Sequence, residues 1–334
     1  MNRRKIKGFT KILFTCVMVT ISVFMFGCKD SVNAPNLGTN NQSNSNLSAV
    51  DKQAMSQIAE LDSVVASFDP NFNESQSDGY LGKVNNAITP YFVWQHVILT
   101  NKTYDFTPAG DSVNIGDSVY VKLTKTYQGV LNIAAANQDT LTRPDTIVTK
   151  NFTTTVVTQL LFQRIDTTSN PMHNWKLLGV SLVSGGTNTG NFQINSLTLT
   201  FASNDSTITI TDPTNFFIKR SDGWKWGHHC AEFHTNDSVT VAVEVYSSYA
   251  DTDFVTLTYG ANYFGLYRHK VKLNLVSQTT SGTGFIRVFQ RTFDVRNNRG
   301  YFSAVINALT RQSIYDDSAP VESNTWGLPY KVGH

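Results

Sequence analysis

Nowhere do the 334 residues reach the roughly 20 consecutive apolar positions that a membrane-spanning helix needs. The longest apolar run, Ile12 to Gly27, is sixteen residues and is interrupted by Thr15, Thr20 and Ser22. The signatures of common hydrolases and nucleotide enzymes are missing as well: there is no G-x-S-x-G, H-E-x-x-H, G-x-x-x-x-G-K-[ST] or G-x-G-x-x-G. Gly282-Thr283-Gly284 reads only as a strand-connecting turn. A calcium loop starting at Asp69 fails, because its sixth place must be glycine and its twelfth a bidentate glutamate, and these hold Glu74 and Tyr80. These absences favour a non-catalytic role, although acid and base groups can also assemble from distant strands.

What is present begins with MNRRKIKGFTK, which carries five basic residues and no acid and leads directly into the apolar run. A basic start, a short apolar stretch and a small residue at its end make a signal-peptide layout. The run closes on Met25-Phe26-Gly27-Cys28, which resembles the lipobox of bacterial lipoproteins. That resemblance implies cleavage after residue 27, acylation of Cys28 and attachment to a membrane through the lipid. With about 0.8 kcal/mol gained per buried CH₂, more than one acyl chain makes such anchoring stable. In these lipoproteins an acid directly after the cysteine favours the inner membrane; Lys29 stands there, so the resemblance implies the outer membrane, on its periplasmic or surface face. Cys16 would leave with the leader and Cys28 would carry lipid, so only Cys230 remains and no internal disulfide can form. Removing the leader also turns a net charge of +2 into −3, with 22 Lys+Arg against 25 Asp+Glu. That balance argues against nucleic acid as a partner.

Residues 28–47 read as a lipidated flexible tether, rich in Asn and Ser and without periodic apolar positions. As a flexible coil the nineteen residues after Cys28 span roughly 22 to 26 Å. Ser48-Ala49-Val50-Asp51 then supplies an N-cap with an acid at the third helical position. Val50, Ala54, Ile58, Leu61, Val65 and Phe68 recur at helical spacing behind it, so one long amphipathic helix is expected to end at Asp69-Pro70. From Tyr91 the pattern turns to strands: Val119, Val121 and Leu123 alternate with Tyr120, Lys122 and Thr124, and Thr/Val-rich runs follow at 146–165 and 175–183.

A helix followed by long antiparallel strands predicts an α+β domain over 48–186, the helix lying on a curved sheet. The order helix, strand, TYQGVLNI, TTTVVTQLLFQRID and NWKLLGVSLVSG, with Trp175-Lys176-Leu177 opening the last strand, resembles the nuclear-transport-factor-two-like, SnoaL-like cone fold. That resemblance implies an apolar pocket, for which His96, Tyr104 and Asp105 are candidate polar groups. Gly185 to Gly190 reads as a flexible break. A β-sandwich over 192–334 is expected beyond it, with strands at 192–201, 206–211, 214–219, 238–247, 253–259, 268–277, 284–295, 300–310 and 327–332. Its strand count and the closing WGLPYKV resemble immunoglobulin-like or fibronectin-type modules.

The densest chemistry lies in Trp224 to His234, which gathers His228, His229, His234 and Cys230. In an extended segment His228, Cys230, Glu232 and His234 share one face and are types that zinc or copper accepts. A strand rises about 3.3 Å per residue, so one metal could take only an adjacent pair, with His269 nominated from another strand. The ordinary alternative is a solvated or packed loop. Tyr246, Tyr249, Tyr259, Tyr263, Phe264 and Tyr267, with Arg287 and Arg291 beside Phe289, could stack a sugar or peptide, although aromatics within strands usually pack the core. Asp251/Asp253 and Asp316/Asp317 could hold a hard cation, against the commoner reading of solvated turn acids. The sequence therefore points to a mainly β, exported cell-envelope lipoprotein with a binding or assembly role toward an envelope protein, peptide or glycan, and with no required cofactor. The alternatives are a small-molecule binder or enzyme using the cone pocket, and metal handling at His228 to His234.

Overall fold

The computed structural model describes residues 47–62, 65, 88–110, 113–136, 143–203, 206–221, 225–226, 231–235, 237–261, 268–295 and 299–333. The first element is a helix, α1 (Ala49–Leu61), started as expected by Ser48, whose hydroxyl accepts from the Asp51 amide and donates to the Asp51 carboxylate at 2.7 Å. It is shorter than its periodicity suggests and is rotated by about one residue. The face that packs inward is Asp51, Met55 and Ala59 with Ala54, whereas Leu61, expected on the apolar stripe, is 77% exposed. The reason lies at Trp175: its indole N–H, itself buried, donates to Asp51 at 2.9 Å, and burying Asp51 turns Val50 outward. Asp62 caps the end and accepts from the Val65 amide.

Three long antiparallel strands follow, β1 (Thr89–Pro108), β2 (Ser118–Ala136) and β3 (Thr146–Arg164). Val119, Val121 and Leu123 turn inward on β2 as their alternation predicts. The outer edge of β3 is shared: β4 (Trp175–Ser181) pairs with Leu160 to Arg164, and β5 (Val183–Gly186) pairs with Thr155 to Val157. The glycines expected as a flexible break are therefore partly a strand. A Cβ on Gly185 would lie 2.0 Å from the Thr155 carbonyl oxygen, and one on Gly186 2.3 Å from that of Ser323. Both are there because backbones approach too closely for a side chain.

The remaining strands are β6 (Phe192–Phe201), β7 (Thr207–Ile210), β8 (Phe217–Ser221), β9 (Lys225–Trp226), β10 (Ala231–His234), β11 (Ser238–Ser247), β12 (Phe254–Ala261), β13 (His269–Lys272), β14 (Asn274–Ser281), β15 (Gly284–Asp294), β16 (Gly300–Leu309) and β17 (Ser323–Gly333). A five-residue helix, α2 (Arg311–Tyr315), connects the last two. The chain is mainly β with antiparallel sheets and an N-terminal helix. One sheet runs β14-β15-β11-β6-β7. The other runs β13-β12-β16-β17-β5-β3-β4-β8-β9, with β2 and then β1 beyond β3, and with β10 parallel to β17. The expected strand at 268–277 is two strands in different sheets. Buried Leu273, whose amide donates to Val255, marks the crossing point.

Two hydrophobic cores result among the described residues. The first gathers α1 and β1 to β5 together with Phe254, Leu309, Ile314 and Tyr315. The second lies between the sheets, where Val239, Val241, Val243 and Val245 of β11 meet Val255, Leu257, Ile306, Trp326 and Leu328. Hydrogen bonds from β5 to both β3 and β17 carry the larger sheet from one core to the other.

Candidate functional site

Of the proposed metal ligands, His228 and Cys230 lie outside the described residues. Glu232 and His234 are on β10, with His234 exposed and Phe233 between them packed into the second core. His269 sits on β13, half-buried, its ring 5.7 Å from that of Tyr259. β12, β16 and β17 stand between β13 and β10, a separation of about 19 Å at four strand spacings. The fold thus does not bring His269 to His234. Among the described residues no three His, Cys, Asp or Glu side chains cluster as a metal site would.

The three polar groups nominated for a cone pocket are also not gathered. His96 and Asp105 are exposed on β1. The Tyr104 hydroxyl donates to Glu60 of α1, which also receives Lys102 at 2.7 Å. Burial and the Glu60 charge push the Tyr104 hydroxyl far above its ordinary value, so it remains a proton donor that ties β1 to the helix. Between the two sheets there is a cavity of about 20 Å³ lined by Leu197, Phe233, Leu257, Tyr259, Phe293 and Leu328. A void of that size and lining has room for one water and no polar groups to hold it.

The aromatic surface dissolves in the same way. Phe289 is core, Tyr246, Tyr249 and Tyr259 are half-buried, and Tyr263, Phe264 and Tyr267 lie outside the described residues. Arg287, expected at that surface, is fully buried. Its guanidinium pairs with Asp253 and donates to Gln278 and to the carbonyls of Tyr249 and Ala250 at 2.7 to 2.8 Å. Asp253 also accepts from Ser247, so this turn acid is an interior ion-pair partner and not a solvated one. Burial pushes its carboxyl up to about 6, against the pull of the Arg287 charge. Of the other pair, Asp316 accepts from the amides of Ser318 and Ala319 and so shapes its own turn.

Three further buried cations escaped the sequence reading: Lys125, which donates to the Val65 carbonyl, Lys150 and Arg311. Lys150 of β3 donates to the carbonyls of Gln312, Ser313 and Asp316 and so closes the C-terminal end of α2; burial lowers its ammonium to about 8, opposed by Asp316 and Asp317. Arg311, the first residue of α2, stacks 4.1 Å above the Tyr315 ring, yet its Nε and Nη2 are closed off from solvent with no hydrogen-bond partner. Nothing in the local sequence distinguishes these residues from surface lysines and arginines.

No helix among the described residues is long and apolar enough to cross a membrane. A scan against protein-family models finds no match, and a search of curated proteins finds none.

Proposed function

We propose that this protein is exported, cut before Cys28, and held at a bilayer by lipid on that cysteine, with its β-rich body serving a binding or assembly role outside the cytoplasm. The observation that carries the proposal is the end of the leader, where a sixteen-residue apolar run meets Gly27-Cys28 behind a basic start. The polar stretch to residue 47 supports it, because a chain held by a lipid needs a spacer before its first packed element. The outer membrane is the proposed site, given Lys29 after the cysteine. In finer terms we read 48–186 as cone-like and 192–334 as immunoglobulin-like.

Support for a binding role comes from an edge. Among the described residues β14 pairs only with β15, and all eight of its residues are exposed. Natural edge strands are usually blunted by Lys, Pro or a bulge. β14 has no charge and no proline, and only a register shift at Val276. Its free backbone suits addition of an extended strand from a partner.

Mass spectrometry of protein taken from its native membrane tests the anchor. An N-terminus at Cys28 bearing acyl mass is expected, and Cys28→Ser should abolish both the acyl mass and the membrane association. An intact leader, or an unacylated residue 28, would overturn the reading.

A further inference from the structure

An arginine fork buried without an acceptor is costly, since each unmet donor loses its water and gains nothing in return. Arg311 is 8% exposed, and the two nitrogens without partners, Nε and Nη2, are adjacent donors of one planar fork. Its guanidinium also lies 5.9 Å from the centre of the Phe254 ring, and Lys272 Nζ lies 5.0 Å from the same centre. Neither cation forms an ion pair with any described residue. Two like charges at one aromatic ring repel, and the ammonium of Lys272 is lowered by burial and then by Arg311. The fold thus concentrates positive charge here without neutralising it.

The ground beside these cations is polar although it is buried. On β12 Val255 and Leu257 face the second core, so Phe254, Thr256 and Thr258 face the other way. Thr256 pairs in register with Lys272 on one side and Asn307 on the other, and Asn307 pairs with Thr325. Lys272, Thr256, Asn307 and Thr325 thus form one row across four strands, with Thr256 fully buried and Thr325 nearly so, their hydroxyls donating to the carbonyls of Asn307 and Ile306. The position of Arg311 is held firmly. Thr310 and Ser313 cap α2 at its start, Ser313 accepts from the Glu322 amide at 2.8 Å, and Lys150 binds its last carbonyls. A donor fork on a braced element is what recognition of a planar or tetrahedral oxyanion requires.

We propose that Arg311 and Lys272 together bind an oxyanion, the carboxylate, phosphate or sulfate group of a ligand, beside the buried polar row of Thr256, Asn307 and Thr325. Phe254 and Tyr315 wall the site, and the two cations supply the charge. This deepens the binding reading by giving the ligand a sign and a chemical group, and it rests on that reading but not on the lipid anchor.

The test uses full-length protein in detergent, titrated calorimetrically with inorganic phosphate, sulfate and acetate, each at ionic strength matched with chloride. Saturable binding of at least one is expected, weakened about tenfold or more by Lys272→Gln and by Arg311→Met, the scale of a lost charge-assisted contact. Arg311→Met should melt in chloride no lower than wild type, because it removes an uncompensated charge; Lys272→Gln, at a half-buried position, guards against misfolding of the first variant. Preference for phosphate or sulfate assigns a tetrahedral group, and preference for acetate a carboxylate. No saturable heat at about 50 mM, well beyond a weak millimolar site, would overturn the proposal, as would equal isotherms for wild type and both variants. Binding by protein that proves unlipidated would remove the anchor and leave this site standing.

Discussion

At the scale of single residues, the interior holds charges whose partners decide their effect. Asp51 is desolvated, which alone would raise its pKa, but hydrogen bonds from Ser48 and Trp175 and the charge of Arg164 bring it below 3.8. A carboxyl whose folded value is depressed contributes stability that is fully present above its unfolded value and is lost as pH falls through the folded one. Asp51→Asn is therefore expected to cost about 1 kcal/mol at pH 7, on the scale of a lost cap, and the gap to wild type should close as pH falls through the depressed folded value. Urea unfolding at a series of pH values checks this; a gap independent of pH would show that the carboxylate charge plays no part. The pair Arg287 and Asp253 follows a different rule, since removing one member strands the other in the interior. Arg287→Met or Asp253→Asn should each lose roughly 3 to 5 kcal/mol, while the double variant Asp253→Leu with Arg287→Met should recover most of it. Denaturant midpoints of the three variants decide the matter. A double variant no better than the sum of the singles would mean that the network is needed for more than charge balance.

At the scale of elements, alternation reveals where strands lie and says little about what they meet. Phe192–Phe201 and Ser238–Ser247 coincide with their expected ranges, because inward Val and Leu alternate cleanly with outward Thr and Ser. Helix α1 was legible as a helix but not in its rotation, which depends on an indole N–H at Trp175, far along the chain. Burial of Arg287 did have a signal, for it shares strand parity with inward Phe289; a charge in that place reads as outward until Asp253 is known to face it. The division at Leu273 had none, since β13 and β14 continue one apolar-polar pattern into two sheets. The polar row beside the oxyanion site was illegible because register across β13, β12, β16 and β17 is a long-range property. For β14 the sequence gives the prediction its shape: with no gatekeeping charge, Val276→Lys should suppress strand addition while changing stability by less than about 0.5 kcal/mol, as exposed substitutions do. A photoreactive side chain placed at Thr279 should yield cross-linked adducts in intact envelopes, and Val276→Lys should remove them. Adducts unchanged by that lysine would place the partner elsewhere.

At the scale of the whole molecule, the two hydrophobic cores are joined by main-chain hydrogen bonds and not only by a connecting loop. β5 is four residues long, yet it pairs with β3, which belongs to the first core, and with β17, which belongs to the second. Phe254, Leu309 and Tyr315 extend the same connection, since Phe254 opens β12 and Leu309 closes β16, strands of the second core, yet both pack with Tyr315 into the first. If the halves were tied only by a linker, each would melt by itself. A shared sheet instead predicts that a lesion at the seam lowers the stability of both. Gly185→Ala is the sharpest such lesion, because the added methyl would stand 2.0 Å from the Thr155 carbonyl oxygen and 2.5 Å from the Val156 Cα, backbone atoms that cannot turn aside. Overpacking of that kind should cost about 3 kcal/mol. Calorimetry of the wild type is expected to show a single transition, and hydrogen exchange in Gly185→Ala should quicken in β2, of the first core, and in β11, of the second, by similar factors. Faster exchange confined to one of these strands would mean that the seam passes no cooperativity and that the cores fold as separate bodies.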